Sequence, residues 1–193
     1  MPRIIPLDGW CDPAAAFTAL FGTEVNAFWL DGGIGAVDGR SWMGAPGRGD
    51  EVVSFGPDDD VFAFLGSRMD EPPAAVPSVP GRPLGWVGWF GYELGERTTG
   101  VGLPASPFPD AALLFARRII EFDHAHGTMS IIALDPHDET ESAAFDAWAG
   151  RVRTELAAAS PPAVAAPGRH VARWRHDGSS YERLVVSCQE AIT

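Results

Sequence analysis

AALLFARRIIEFDHAHGTMSIIAL, residues 111–134, places two apolar runs on either side of a short polar segment, His124 to Gly127. The spacing predicts a hairpin, with one strand over ALLFARRIIEFD, a tight turn, and a second strand over TMSIIAL returning beside the first. Upstream lies GWVGWFGYELGER, residues 85–97, in which Gly85, Gly88 and Gly91 alternate with Trp86, Trp89, Phe90 and Tyr92. Read as a strand over 84–92, one face carries Gly85, Val87, Trp89 and Gly91 and the other Trp86, Gly88, Phe90 and Tyr92. Each large ring then has a glycine neighbour that leaves it room, which describes a central strand packed closely on both faces. The glycine spacing does not match the GxGxxG phosphate cradle, and three triplets without proline cannot build a collagen helix. Aromatic residues in a strand usually pack rather than bind, so this is a core strand.

Other segments supply strands and helices around these. NAFWLD (26–31), bounded by Gly32-Gly33, reads as a strand buried on both faces, and SWMG and EVVSF as two more strands. Asp12-Pro13 before an alanine-rich stretch ending at Gly22 predicts a short helix. Three acids at 58–60 precede Val61, Phe62, Leu65 and Met69 at helical spacing, and Phe145, Trp148, Val152 and Leu156 form a second helical stripe over 141–156. EPPAAVPSVPGRP carries five prolines and reads as a surface loop.

The composition excludes several functions. Of 193 residues, 46% are hydrophobic, enough for a packed core. Acidic residues outnumber basic ones by 26 to 14, a formal charge of -12 with no Lys/Arg run, which disfavours nucleic acid and anionic membranes as partners. Cys11 and Cys188 lie far apart and suit free thiols in a cytoplasmic protein. No signal peptide and no run of 18 uncharged apolar residues is present.

After the helical stripe the composition shifts. AAASPPAVAAPG (157–168) has the makeup of an exposed connection, which divides the chain into a domain over 1–157, an Ala/Pro-rich linker over 158–175 and a final helix over 176–193. Ser179 or Ser180 is expected to cap that helix, and Tyr181, Leu184, Val185, Cys188 and Ile192 share one face of it. No stop signal precedes Thr193, so the helix reads as cut, the front part of a longer protein.

The series AFWLD, GRSWMG, LGWVGWFGYELGE, PDAALLFARRIIEFDH and SSYERLVVSCQEAIT resembles, in order, the N-terminal region of the chorismate-utilising enzymes, and specifically component I of aminodeoxychorismate synthase. The resemblance spans about residues 27–193. It implies an α+β fold, an antiparallel β-sheet sandwich with flanking helices, whose last segment begins the chorismate-binding catalytic domain. It implies an enzyme that adds ammonia, delivered by a separate glutamine amidotransferase subunit, to chorismate, giving 4-amino-4-deoxychorismate for 4-aminobenzoate and folate synthesis. The family's Mg2+ ligands and its catalytic lysine would lie outside this chain, leaving no catalytic residue here. An effector pocket does carry over. Anthranilate-forming relatives have an "LLES" motif whose serine holds inhibitory tryptophan, and the matching residues here are Trp29, Leu30, Asp31 and Gly32. Glycine has no hydroxyl to offer, which favours the aminodeoxychorismate branch over anthranilate synthase component I. A free-standing module that binds a small aromatic molecule without chemistry is the alternative.

Three further groups have simpler readings. Asp123, His124 and His126 are candidate metal ligands, but two histidines at i, i+2 in a hairpin turn with no third strong ligand nearby suit a hydrogen-bonded turn better than a zinc site. Tyr92, Glu93, Glu96 and Arg97 read as an ion-paired strand exit, with a docking surface as the alternative. Cys188, on the apolar face of the last helix, reads as an inert packed thiol.

Overall fold

The protein is seen in a computed structural model that describes residues 2–33, 35–47, 49–70, 83–102, 106–136, 138–160 and 175–192. The chain divides into two compact units, residues 1–162 and 163–193. The proline-rich loop after residue 70 and most of the Ala/Pro-rich linker lie outside the described residues.

Thirteen elements are described, in the order β1 (Arg3–Leu7), α1 (Pro13–Phe21), β2 (Phe28–Leu30), β3 (Arg40–Gly44), β4 (Val52–Phe55), α2 (Val61–Asp70), β5 (Gly85–Phe90), α3 (Leu94–Thr99), β6 (Ala111–Ala116), β7 (Arg118–Asp123), β8 (Thr128–Ala133), α4 (Glu139–Ala158) and α5 (Gly178–Ile192). The fold class is α+β: one antiparallel sheet has the order β1-β8-β7-β3-β2 and a second β4-β6-β5. The expected hairpin is β7–β8, paired from Arg118↔Ala133 to Asp123↔Thr128. The apolar run before it is not one strand, however. It breaks at Arg117, so that β6 belongs to the second sheet and β7 to the first.

Side-chain alternation along these strands builds three layers of core. On one face of the first sheet Ile120, Phe122 and Ile131 meet Ala16 and Phe21 of α1 and Phe145, Trp148 and Val152 of α4. On its other face Ile119 and Ile132 join Val87 and Leu114 of the second sheet, so the two sheets form a sandwich. The outer face of the second sheet is covered by Val61, Phe64 and Leu65 of α2. Ile119, Ile120, Ile131 and Ile132 are fully buried, which is why β7 and β8 read as near-continuous apolar runs rather than alternating ones.

Four of the five described helices start where a short acid caps them, and α3 has no side-chain cap. Asp12 accepts from the Ala15 N–H at 2.9 Å, Asp60 from Ala63 at 2.9 Å and Asp138 from Glu141 at 2.8 Å. α5 is capped by Asp177, which accepts from the Ser180 N–H at 2.7 Å, and not by Ser179 or Ser180 themselves. The Asp177 carboxylate lies two positions before Ser179 and starts the helix that much earlier. Within that second unit no residue of α5 is buried and Cys188 is exposed, so its thiol is not the packed one expected.

Two strand expectations need correction. β5 is not central but lies at the edge of the three-stranded sheet, and Trp89 and Phe90 are exposed. β2 spans three residues at the edge of the other sheet, with Phe28 and Trp29 half-buried and Leu30 exposed. In both cases an apolar run signals burial on the strand, yet an edge position leaves part of it open. Among the described residues no helix is long and apolar enough to cross a membrane.

Candidate functional site

Strand β3 carries Ser41 across from Phe122 on β7, and Ser41 is fully buried. Its hydroxyl gathers three polar partners. The Gly32 N–H donates to Ser41 Oγ at 2.8 Å, Ser41 Oγ donates to Asp31 Oδ1 at 3.3 Å, and His124 Nε2 lies 2.7 Å from the same oxygen. A hydroxyl has one proton and two lone pairs. With the proton given to Asp31, both lone pairs are free to accept, so the fully satisfied network has a proton on His124 Nε2.

This composition is that of a hydrolytic triad, but its polarity is not. In a triad the base takes the serine proton and the acid orients the base. Here the acid contacts the serine directly, and the hydroxyl is sealed from solvent. The cluster is structural: it ties the segment after β2 to the turn after β7.

Beside it opens a cavity of about 360 Å³ lined by Trp10, Pro13, Trp29, Asp31, Gly33 and His124, among others. Trp29 stacks on Phe17 of α1, with ring centroids 5.6 Å apart at 24°. Trp10 sets its edge against His124 at 5.6 Å and against Phe122 at 5.7 Å. Among the described residues the buried Trp29 indole N–H has no hydrogen-bond partner, an unusual condition for a buried donor. The cavity therefore offers aromatic walls and two carboxylates, Asp12 and Asp31.

Of the four residues matched to the effector motif, Trp29 and Asp31 line this cavity. Gly32 belongs to the Ser41 cluster and not to the cavity lining: a Cβ there would sit 3.3 Å from Ser41 Oγ and 3.4 Å from a His124 ring carbon. Leu30 pairs with Trp42 and is exposed, on the strand face opposite Trp29. Ser41 and Trp10 are participants that sequence reasoning did not find, and His124, read there as part of a hydrogen-bonded turn, bonds across to Ser41. Only the β3–β7 register brings Ser41 to His124, across 83 residues of chain.

The two turn histidines part company. His126 turns back on Asp123, with Nδ1 2.9 Å from Oδ1 and its backbone N–H donating to the same oxygen at 3.1 Å, whereas His124 points to Ser41. These contacts from His126 hold the Asp123 carboxyl below its usual range, with Arg40 adding a smaller effect. Among the described residues no group of three His, Cys, Asp or Glu could hold a metal ion. At the other strand exit Tyr92 is exposed, while the Arg97 guanidinium donates to the carbonyls of Pro57 and Asp59 and lies 4.0 Å from Asp110. Burial, with Asp12 beside it, raises the Cys11 thiol above its ordinary value and keeps it protonated.

Comparison with known proteins gives these features a setting. The profile of the chorismate binding enzyme family matches residues 44–193. Aminodeoxychorismate synthase of Streptomyces griseus is 32% identical over 210 residues, covering 94% of this chain and 28% of the relative. The enzyme of the same name from Streptomyces pristinaespiralis is 29% identical over 94% of this chain and 29% of its own length. Anthranilate synthase component 1 of Streptomyces coelicolor is 30% identical over 83% of this chain and 31% of its own length. The chain thus spans less than a third of the curated relatives it matches. With the family profile matching well over half of its residues, the chain belongs to the chorismate binding enzyme family.

Proposed function

We propose that this chain is the N-terminal portion of an aminodeoxychorismate synthase component I, a cytoplasmic enzyme that aminates chorismate to 4-amino-4-deoxychorismate with ammonia from a glutamine amidotransferase subunit. The observation that carries the reading is similarity over 94% of the chain to two aminodeoxychorismate synthases. Gly32 supports the same branch. Where anthranilate-forming relatives place a serine, the backbone N–H of Gly32 is already committed to Ser41, and no hydroxyl is available for an effector.

In this reading the described residues act as scaffold, and the cavity beside Trp29 is an effector pocket. Asp31 at its wall suits an ammonium group, and the aromatic walls suit a flat ring. Mg2+ and the reacting groups belong to the remainder of the enzyme, and no step is assigned to residues of this chain. The second reading, anthranilate synthase component I, has the Streptomyces coelicolor relative in its favour.

The test is to express the gene to its natural stop codon and supply chorismate, magnesium and ammonium. The expected product is 4-amino-4-deoxychorismate, detected as 4-aminobenzoate after a lyase is added, with little inhibition by tryptophan. Residues 1–193 alone should show no turnover. Anthranilate as the main product, shut off by tryptophan, would transfer the assignment to the second reading; neither product would remove both.

A further inference from the structure

Away from that pocket, a cavity of about 390 Å³ lies between α4 and the β6–β7 junction. Three arginines, Arg117, Arg118 and Arg151, line it together with two acids, Asp50 and Glu141. Both acids face Arg117, whose Nε is 3.8 Å from Asp50 and whose NH2 is 3.6 Å from Glu141. Asp50 also accepts from the Gly47 N–H at 2.6 Å. Arg118 and Arg151 have no carboxylate within salt-bridge distance among the described residues. Arg118 instead lays its guanidinium over the Trp148 ring at 4.5 Å.

Space has been kept for that arrangement. A Cβ at Gly47 would come within 2.9 Å of Arg118 NH2. Burial holds the Arg118 guanidinium below its ordinary pKa; Asp50 opposes that effect and Arg151 adds to it. With three arginines against two acids, the lining keeps an excess of positive charge in a chain of net charge -12. The rest of the lining is apolar and includes Leu134, Pro136, Ala144 and Phe145.

We propose that this cavity binds a small organic carboxylate, with its carboxylate between Arg118 and Arg151 and its apolar body against Leu134 and Phe145. A guanidinium fork matches a planar carboxylate better than an ammonium would, and the apolar lining gives a ligand with a hydrocarbon body an advantage over a bare inorganic anion.

Calorimetric titration of the 193-residue chain with benzoate at fixed ionic strength tests this. Saturable one-to-one binding is expected, with acetate and inorganic phosphate weaker and benzyl alcohol not saturating. Arg151 is exposed, so Arg151→Gln should fold normally and weaken benzoate about tenfold, the effect of losing one charge-assisted hydrogen bond. Arg153→Gln should bind as the wild type does, because Arg153 lines a separate cavity beside Cys11. Arg118→Lys should weaken binding while keeping the charge, since lysine lacks the planar fork. Absence of saturation with benzoate, unchanged affinity in Arg151→Gln, or tighter binding of phosphate than of benzoate would each overturn the proposal.

Discussion

Ser41 shows how much one side chain can hold. Its hydroxyl, itself fully buried, is the shared partner of Gly32, Asp31 and His124, and Ser41→Ala removes all three contacts. We expect a loss of about 1–3 kcal/mol in urea unfolding, the usual cost of removing hydrogen bonds that include a charged partner; a loss below about 0.5 kcal/mol would show that the cluster does not hold the segment. Asp123 makes a different kind of contribution. Its folded pKa is depressed by His126, so its stabilisation is complete above the unfolded carboxylate range of about 4 and is lost as pH falls through the lower, folded value. Asp123→Asn should therefore be less stable than the wild type at pH 5–7, and the gap should close as pH drops below about 4. A gap that stays constant down to pH 2 would place the effect elsewhere. The split of His124 and His126 between two partners was not legible in DHAH, because it depends on which strand lies beside the turn.

At the scale of elements, glycines separate two kinds of tolerance. A Cβ on Gly88 would lie 2.0 Å from the Ala112 carbonyl oxygen of β6, so it is the neighbouring backbone that needs Gly88, more than the rings of Trp86 and Phe90. Gly88→Ala should cost on the order of 2 kcal/mol or more, as overpacking against an unyielding neighbour does. Gly150 lies exposed in α4 with nothing within 4 Å of its would-be Cβ; Gly150→Ala should stabilise by about 0.5–1 kcal/mol. Equal thermal shifts at both positions would contradict this account. Gly100, at a φ of 70°, would be strained by any other residue even though its surroundings are open. The stripe of α4 and the β7–β8 hairpin were readable because a helical period and a polar turn are local signals. The break at Arg117 was not, since neither glycine nor proline marks it and apolar residues run on both sides. The edge position of β5 was equally hidden: strand order is set by pairing partners far along the chain.

Across the first unit, stability should follow the strand order. β7 and β8 each have a hydrogen-bonded strand on both sides and core on both faces, whereas β2 and β5 lie at edges. Native-state hydrogen exchange should find the slowest amides at Ile119, Ile120, Ile131 and Ile132 and fast exchange in Phe28–Leu30; faster exchange in β7 than in β2 would contradict the described packing. The same centre contains the single-residue joint at Arg117, whose carbonyl accepts from the Leu134 N–H at 2.8 Å. Because β6 and β7 meet there without slack, tension applied to one sheet passes directly into the other, as through a rigid hinge pin. Pulled from its ends, this unit should yield in one rupture, with no intermediate extension at which one sheet has opened and the other still carries load.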